Sequence, residues 1–107
     1  MIHSSDRQAA EELKRRLLDH GVPLLDVRLF GSRARGDARP DSDLDVFLVL
    51  RKRTREIERA IDQIAWEVGY ETGQVIMTFE CTREEMARLP LRAAPLLDEV
   101  RREGVPV

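Results

Sequence analysis

Gly31-Ser32-Arg33-Ala34-Arg35-Gly36-Asp37 and, after a short turn-rich stretch, Ser42-Asp43-Leu44-Asp45-Val46-Phe47-Leu48-Val49-Leu50 decide how this chain is read. Residues Asp43 to Leu50 form the strongest strand pattern in the sequence. Its distal part is apolar on both faces, as expected for a central strand covered on two sides. Strand alternation puts Asp43 and Asp45 on one face, roughly 6.5–7 Å apart along it, and Leu44, Val46 and Leu48 on the other. Two aspartates at the mouth of an apolar strand repel each other unless a cation joins them. Magnesium, which takes carboxylates together with substrate phosphates, is such a cation. The plainer alternative is that both side chains lie in solvent where a loop ends. Gly31-Ser32 stands where a strand meets a helical turn. Glycine lets the backbone approach a ligand, the N–H groups of the turn point towards an anion, and the serine hydroxyl adds a donor. Gly-Ser turns also serve simply as connections.

Working outward, Leu25 to Phe30 reads as the strand before the turn, with Val27 and Leu29 facing one way. Upstream, a helix is expected from Ser5, whose hydroxyl can cap it while Gln8 closes a capping box. Ala9, Ala10, Leu13, Leu17 and Leu18 lie on its apolar face, Gly21 ends it and Pro23 prevents resumption. Downstream, a helix from about Thr54 to Val68 buries Ile57, Ile61, Ile64, Ala65 and Val68. Trp66 and Tyr70 are candidates to close that core, and Gly69 or Gly73 to stop the helix. Gln74 to Phe79 reads as a third strand. Thr82-Arg83-Glu84-Glu85 is a second capping box, opening a short helix that halts before Pro90. A last helix is expected from near Pro95 to Gly104. The expected fold class is therefore α+β: a small mixed sheet with helices packed against it.

At 107 residues the chain has room for a single domain, residues 1–107. The longest apolar run, Val46 to Leu50, is far short of the ~20 residues needed to cross a bilayer, and the N-terminus turns polar at once. One cysteine, Cys81, cannot form an internal disulfide, which suits a cytoplasmic protein and a packing role. No His or Cys cluster has zinc spacing. A net charge of −2 argues against direct nucleic-acid binding. Two basic groups stand out, Arg51-Lys52-Arg53-Thr54-Arg55 and Arg33, Arg35 and Arg39. Either reads as a solvated surface or as a patch for phosphates or an acidic partner.

Gly31-Ser32, ten residues, then Asp43-x-Asp45 in a strand is the signature of nucleotidyltransferases related to DNA polymerase β. The fuller string closely resembles the minimal nucleotidyltransferase (MNT) family. That resemblance implies the polymerase β-like nucleotidyltransferase fold, with Gly31 and Ser32 on the β- and γ-phosphates of a nucleoside triphosphate and Asp43 and Asp45 holding Mg²⁺. It implies transfer of a nucleoside monophosphate, AMP from ATP, to an acceptor hydroxyl with release of pyrophosphate. Arg33 then either neutralises phosphate charge or fixes the Asp-rich loop through a salt bridge. Members commonly act as antitoxins to HEPN-domain toxins, and some modify the toxin, so a HEPN-domain protein is the implied partner.

One departure concerns catalysis. Active relatives carry a third carboxylate on the next strand, whereas Gln74-Val75-Ile76-Met77-Thr78-Phe79 has none. Glu71 and Glu80 flank it and reach inward only if the register is generous, and Gln74 is a poor base. Two functions therefore compete: an Mg²⁺-dependent transferase acting on a partner protein, and a catalytically weak module of the same fold that neutralises its partner by contact. Residues Leu91 to Val107 offer apolar side chains either to such a partner or to the core.

Overall fold

The computed structural model describes residues 2–37, 39, 41–88 and 94–107. In chain order the elements are α1 (Ser4–Asp19), β1 (Leu24–Phe30), α2 (Gly31–Arg35), β2 (Leu44–Leu50), α3 (Arg55–Thr72), β3 (Ile76–Thr82), α4 (Arg83–Arg88), α5 (Ala94–Glu103) and β4 (Val105–Pro106). The four strands form one mixed sheet in the order β3-β2-β1-β4. β1 runs antiparallel to β2 and β4, while β2 and β3 are parallel and joined through α3. The expected α+β class and flanked mixed sheet are what the structure shows.

The sheet separates two cores. On one side Val27, Leu29, Leu44, Val46, Leu48 and Leu50 meet α1 and α3 through Leu13, Leu17, Ile61 and Val68. On the other, Phe30, Phe47, Val49 and Cys81 meet Leu97 and Val100 of α5. β2 is thus apolar on both faces because both are covered. Cys81 packs in the second core, and burial pushes its thiol pKa up.

Several local expectations are corrected. His3, not Ser5, caps α1: its Nδ1 accepts from the Ser5 N–H at 3.2 Å, so Ser5 is already helical and Gln8 closes no box. Leu18 is exposed rather than part of the apolar stripe, as are Trp66 and Tyr70, which do not close the core. α3 continues through Gly69 to Thr72, and Gly73 stops it at φ +71°. Gly69 serves packing instead, since a Cβ there would meet the Gln74 carbonyl. β3 accordingly starts at Ile76, later than expected. The Thr82 capping box forms as read, with Thr82 Oγ1 accepting from the Glu85 N–H at 2.9 Å. β4 was not foreseen; two residues ending in a proline carry no strand pattern of their own. The expected halt before Pro90 and the start of the Leu91–Val107 stretch fall at residues 89–93, outside the described residues. Leu97 and Val100 of that stretch pack in the core.

Candidate functional site

The site lies at one end of the sheet, where β1 hands over to α2 beside the start of β2. Phe30, the last residue of β1, pairs with Asp45 of β2. The next residue therefore turns directly over the Asp45 carboxylate. That residue is Gly31, at φ +77°, and a Cβ there would come within 3.3 Å of Asp45 Cγ and closer still to Oδ2. Only glycine meets both the left-handed backbone and the lack of space. α2 continues from it and closes with Gly36 at φ +83°, whose N–H bonds the Ser32 carbonyl at 2.9 Å.

Asp43 is exposed just before β2 and Asp45 is half-buried within it. Burial raises the Asp45 pKa, and repulsion from Asp43 and from Glu99 of α5 adds to the rise, with Arg35 opposing. That repulsion reflects how close Asp43 lies to Asp45, although Asp43 stands one residue outside the strand.

Arg33 of α2 is tied down by ion pairing and hydrogen bonds. Its Nη1 meets Asp6 Oδ1 at 3.2 Å, and its Nε and Nη2 donate to the Ser42 carbonyl at 3.1 and 2.8 Å. Asp6 is only 3% exposed and also accepts from Gln74 Nε2 at 2.9 Å. One guanidinium thus joins α1, α2 and the residue before Asp43, the loop-fixing role open to Arg33 on sequence. Gln74, a poor base on sequence, is turned towards Asp6.

Asp6 and Glu99 escaped the sequence reading as members of the site's surroundings, while Arg35 stood there in a basic group open to a solvated role or to phosphates or an acidic partner. Arg35 Nη1 bridges Glu99 at 3.3 Å and Glu103 at 3.1 Å, which fastens α5 against α2. The signal for this was the four-residue spacing of Glu99 and Glu103 on one helix face. For Asp6 there was none, since an aspartate in a first helical turn ordinarily reads as exposed.

The flanking glutamates do not reach the aspartates. Glu71 ion-pairs with Arg16 of α1. Glu80 pairs in register with Leu48, on the face opposite Asp45. The residue of β3 beside Asp45 is Met77. Among the described residues no group of three carboxylate, histidine or cysteine side chains forms a ready metal cage. The aspartate pair does fit Mg²⁺, which keeps water and binds through one or two carboxylates plus substrate phosphates. Among the described residues no helix is long and apolar enough to cross a membrane.

A family model described as a nucleotidyltransferase domain matches residues 7–100. Among solved structures, a minimal nucleotidyltransferase is 27% identical, with a TM-score of 0.64 over 100% of this chain and 97% of that one. A chain of a toxin–antitoxin complex with AMP-PNP is 20% identical, with a TM-score of 0.64, covering 90% of this chain and 70% of its own. A chain from the complex of tri-AMPylated Shewanella oneidensis HEPN toxin with MNT antitoxin is 17% identical, with a TM-score of 0.58, covering 94% of this chain and 70% of its own. No curated protein matches significantly.

Proposed function

The chain belongs to the nucleotidyltransferase domain family, and on that premise we propose that it is an Mg²⁺-dependent transferase. It moves a nucleoside monophosphate, AMP from ATP, to a hydroxyl of a partner protein, as antitoxin to a HEPN toxin. The observation that carries this reading is the packing of Gly31 against Asp45, which sets the turn that opens α2 directly beside the aspartate carboxylates. Gly31 and Ser32 hold the β- and γ-phosphates. Arg33 adds its charge and, through the Ser42 carbonyl, fixes the approach to Asp43. Asp43 and Asp45 hold Mg²⁺, which when bound supplies charge stabilisation at the phosphates. The residues thereby align the triphosphate for attack by a hydroxyl oxygen on the α-phosphorus, with pyrophosphate leaving. ATP as donor and a HEPN partner as acceptor are supported by the AMP-PNP complex and the AMPylated toxin among similar structures.

A second reading is a module that neutralises its partner by contact alone, favoured by Met77 standing beside Asp45 where a carboxylate would complete the site. Co-purification with the HEPN partner and incubation with α-phosphate-labelled ATP separates the two. Transfer predicts label on the toxin that vanishes with Asp43→Asn or Asp45→Asn. Absence of label, with the toxin neutralised equally by both variants, would leave only the contact role.

A further inference from the structure

The outer edge of β3 carries features the transfer site does not use. β2 pairs with β3 on one side and, among the described residues, no strand pairs on the other. The Val75 carbonyl accepts from the Leu44 N–H at 2.9 Å. Alternation then points the backbone groups of Ile76, Thr78, Glu80 and Thr82 away from β2. At the far end these are in use: Arg53 donates to the Glu80 carbonyl at 2.9 Å, and the Thr82 N–H donates to Glu85 at 3.2 Å. Ile76 and Thr78 keep their rungs turned outward.

A ridge of α3 runs beside this edge. Glu58, Asp62, Trp66 and Tyr70 recur every fourth residue and all are exposed. The Trp66 and Tyr70 rings stack with centroids 5.4 Å apart, at 64% and 77% exposure. Between ridge and edge lies an open cavity of about 440 Å³, lined by Asp62, Trp66, Tyr70, Val75, Met77 and Thr78 among others, with no lysine or arginine in its wall. Val75 and Met77 are 61% and 43% exposed. Two large exposed aromatic rings beside unpaired strand rungs are what proteins ordinarily cover, and by alternation Val75 and Met77 stand exposed on the other face of the same edge strand. The other end is acidic: burial together with Asp62 and Glu58 pushes the Glu80 carboxyl pKa up.

The geometry points to a docking groove for an extended, basic polypeptide segment of a protein partner, which adds to β3 as a fifth strand. Backbone rungs at Ile76 and Thr78 bind its main chain. The Trp66–Tyr70 stack takes an apolar side chain, and Asp62 with Glu80 takes a lysine or arginine. Symmetric pairing of two copies would set one acidic ridge near another, and the same charge repels nucleic acid. The segment would lie two strand spacings, ~10 Å, from β2. Docking there does not depend on turnover at Asp45.

Trp66 is the sole tryptophan, so its fluorescence reports the groove directly. The probe is a labelled strand-forming peptide of about eight residues alternating lysine with valine, compared with its glutamate-for-lysine counterpart. The basic peptide is expected to gain anisotropy and shift Trp66 emission, and the acidic one to do neither. Asp62→Lys should weaken binding about tenfold or more. Thr78→Pro, which removes an outward N–H, should abolish it while the far-ultraviolet dichroism stays unchanged. Should Thr78→Pro not fold, N-methylation of alternate peptide residues on the wild-type protein tests the same rungs and should also abolish binding. Equal binding of both peptides, no binding, or indifference to Asp62→Lys would overturn the proposal. A concentration-dependent dimer of the protein alone, lost in Thr78→Pro, would assign the edge to a second copy instead.

Discussion

Gly31 and Asp45 compete for the same space: the turn after β1 passes so close over the Asp45 carboxylate that a methyl group on Gly31 would collide with it. Gly31→Ala is therefore expected to cost about 2 kcal/mol or more, from the left-handed backbone and from overpacking. Nucleotide binding should fall further than stability does, because displacing Asp45 spoils the site itself. Urea unfolding and calorimetric titration of one sample measure both. A Gly31→Ala protein with wild-type stability would contradict the packing described.

Asp45 should be a residue whose removal stabilises the fold. Burial, then Asp43 and Glu99, raise its pKa, so the folded state holds its proton more tightly than the unfolded state does. The stability linked to that proton is present below the ordinary carboxylate pKa and is lost as pH rises through the raised folded value. Asp45→Asn is therefore predicted to exceed wild type in stability at pH ~7, by an amount that solvent screening keeps small. The gap should narrow towards pH ~4, near the ordinary carboxylate value. Thermal unfolding of both proteins across that range, without divalent metal, checks the sign.

The Asp6–Arg33 pair behaves oppositely. Asp6 is almost wholly enclosed, and Arg33 is its charged partner at 3.2 Å. Arg33→Met leaves a buried carboxylate with Gln74 as its one remaining side-chain partner among the described residues, so a loss of about 3–5 kcal/mol is expected. Chemical denaturation measures it, and a loss below 1 kcal/mol would show that Asp6 does not rely on this partner.

Arg35 and Glu99 act on Asp45 with opposite signs. Arg35→Gln removes the cation that lowers the Asp45 pKa and should move its titration upward, while Glu99→Gln should move it downward. Carbon-13 titration of the Asp45 carboxyl reads both shifts. Unchanged midpoints would mean that α5 does not bear on the site.

How far the sequence foretold this arrangement varied with the kind of signal. Asp43, Asp45 and the Gly31-Ser32 turn stood out because strand alternation and a strand-to-turn break are local patterns, and the fold sets Gly31 over Asp45 with Asp43 close by. The two-sided apolarity of Val46 to Leu50 was legible for the same reason. Arg33 presented two roles, and only the distant Asp6 and Ser42 show how it is held. The start of β3 depended on α3 running through Gly69, whose missing side chain serves a tertiary contact instead of a helix stop. Trp66 and Tyr70 sit at helical spacing near a core and still point outward, because the ridge they occupy borders an edge strand. Periodicity cannot distinguish a core from a sheet's open flank. β4 exists only because β1 offers it an edge.

The central claim is that Gly31, Ser32, Asp43 and Asp45 form a working nucleotide site. Calorimetric titration of ATP into the purified protein, with and without Mg²⁺ and repeated with Asp43→Asn, tests it most directly. The account predicts Mg²⁺-dependent binding by wild type and its loss in the variant, with both proteins folded. Folded wild-type protein that binds no ATP with Mg²⁺ present, or a variant that binds as well as wild type, would contradict it.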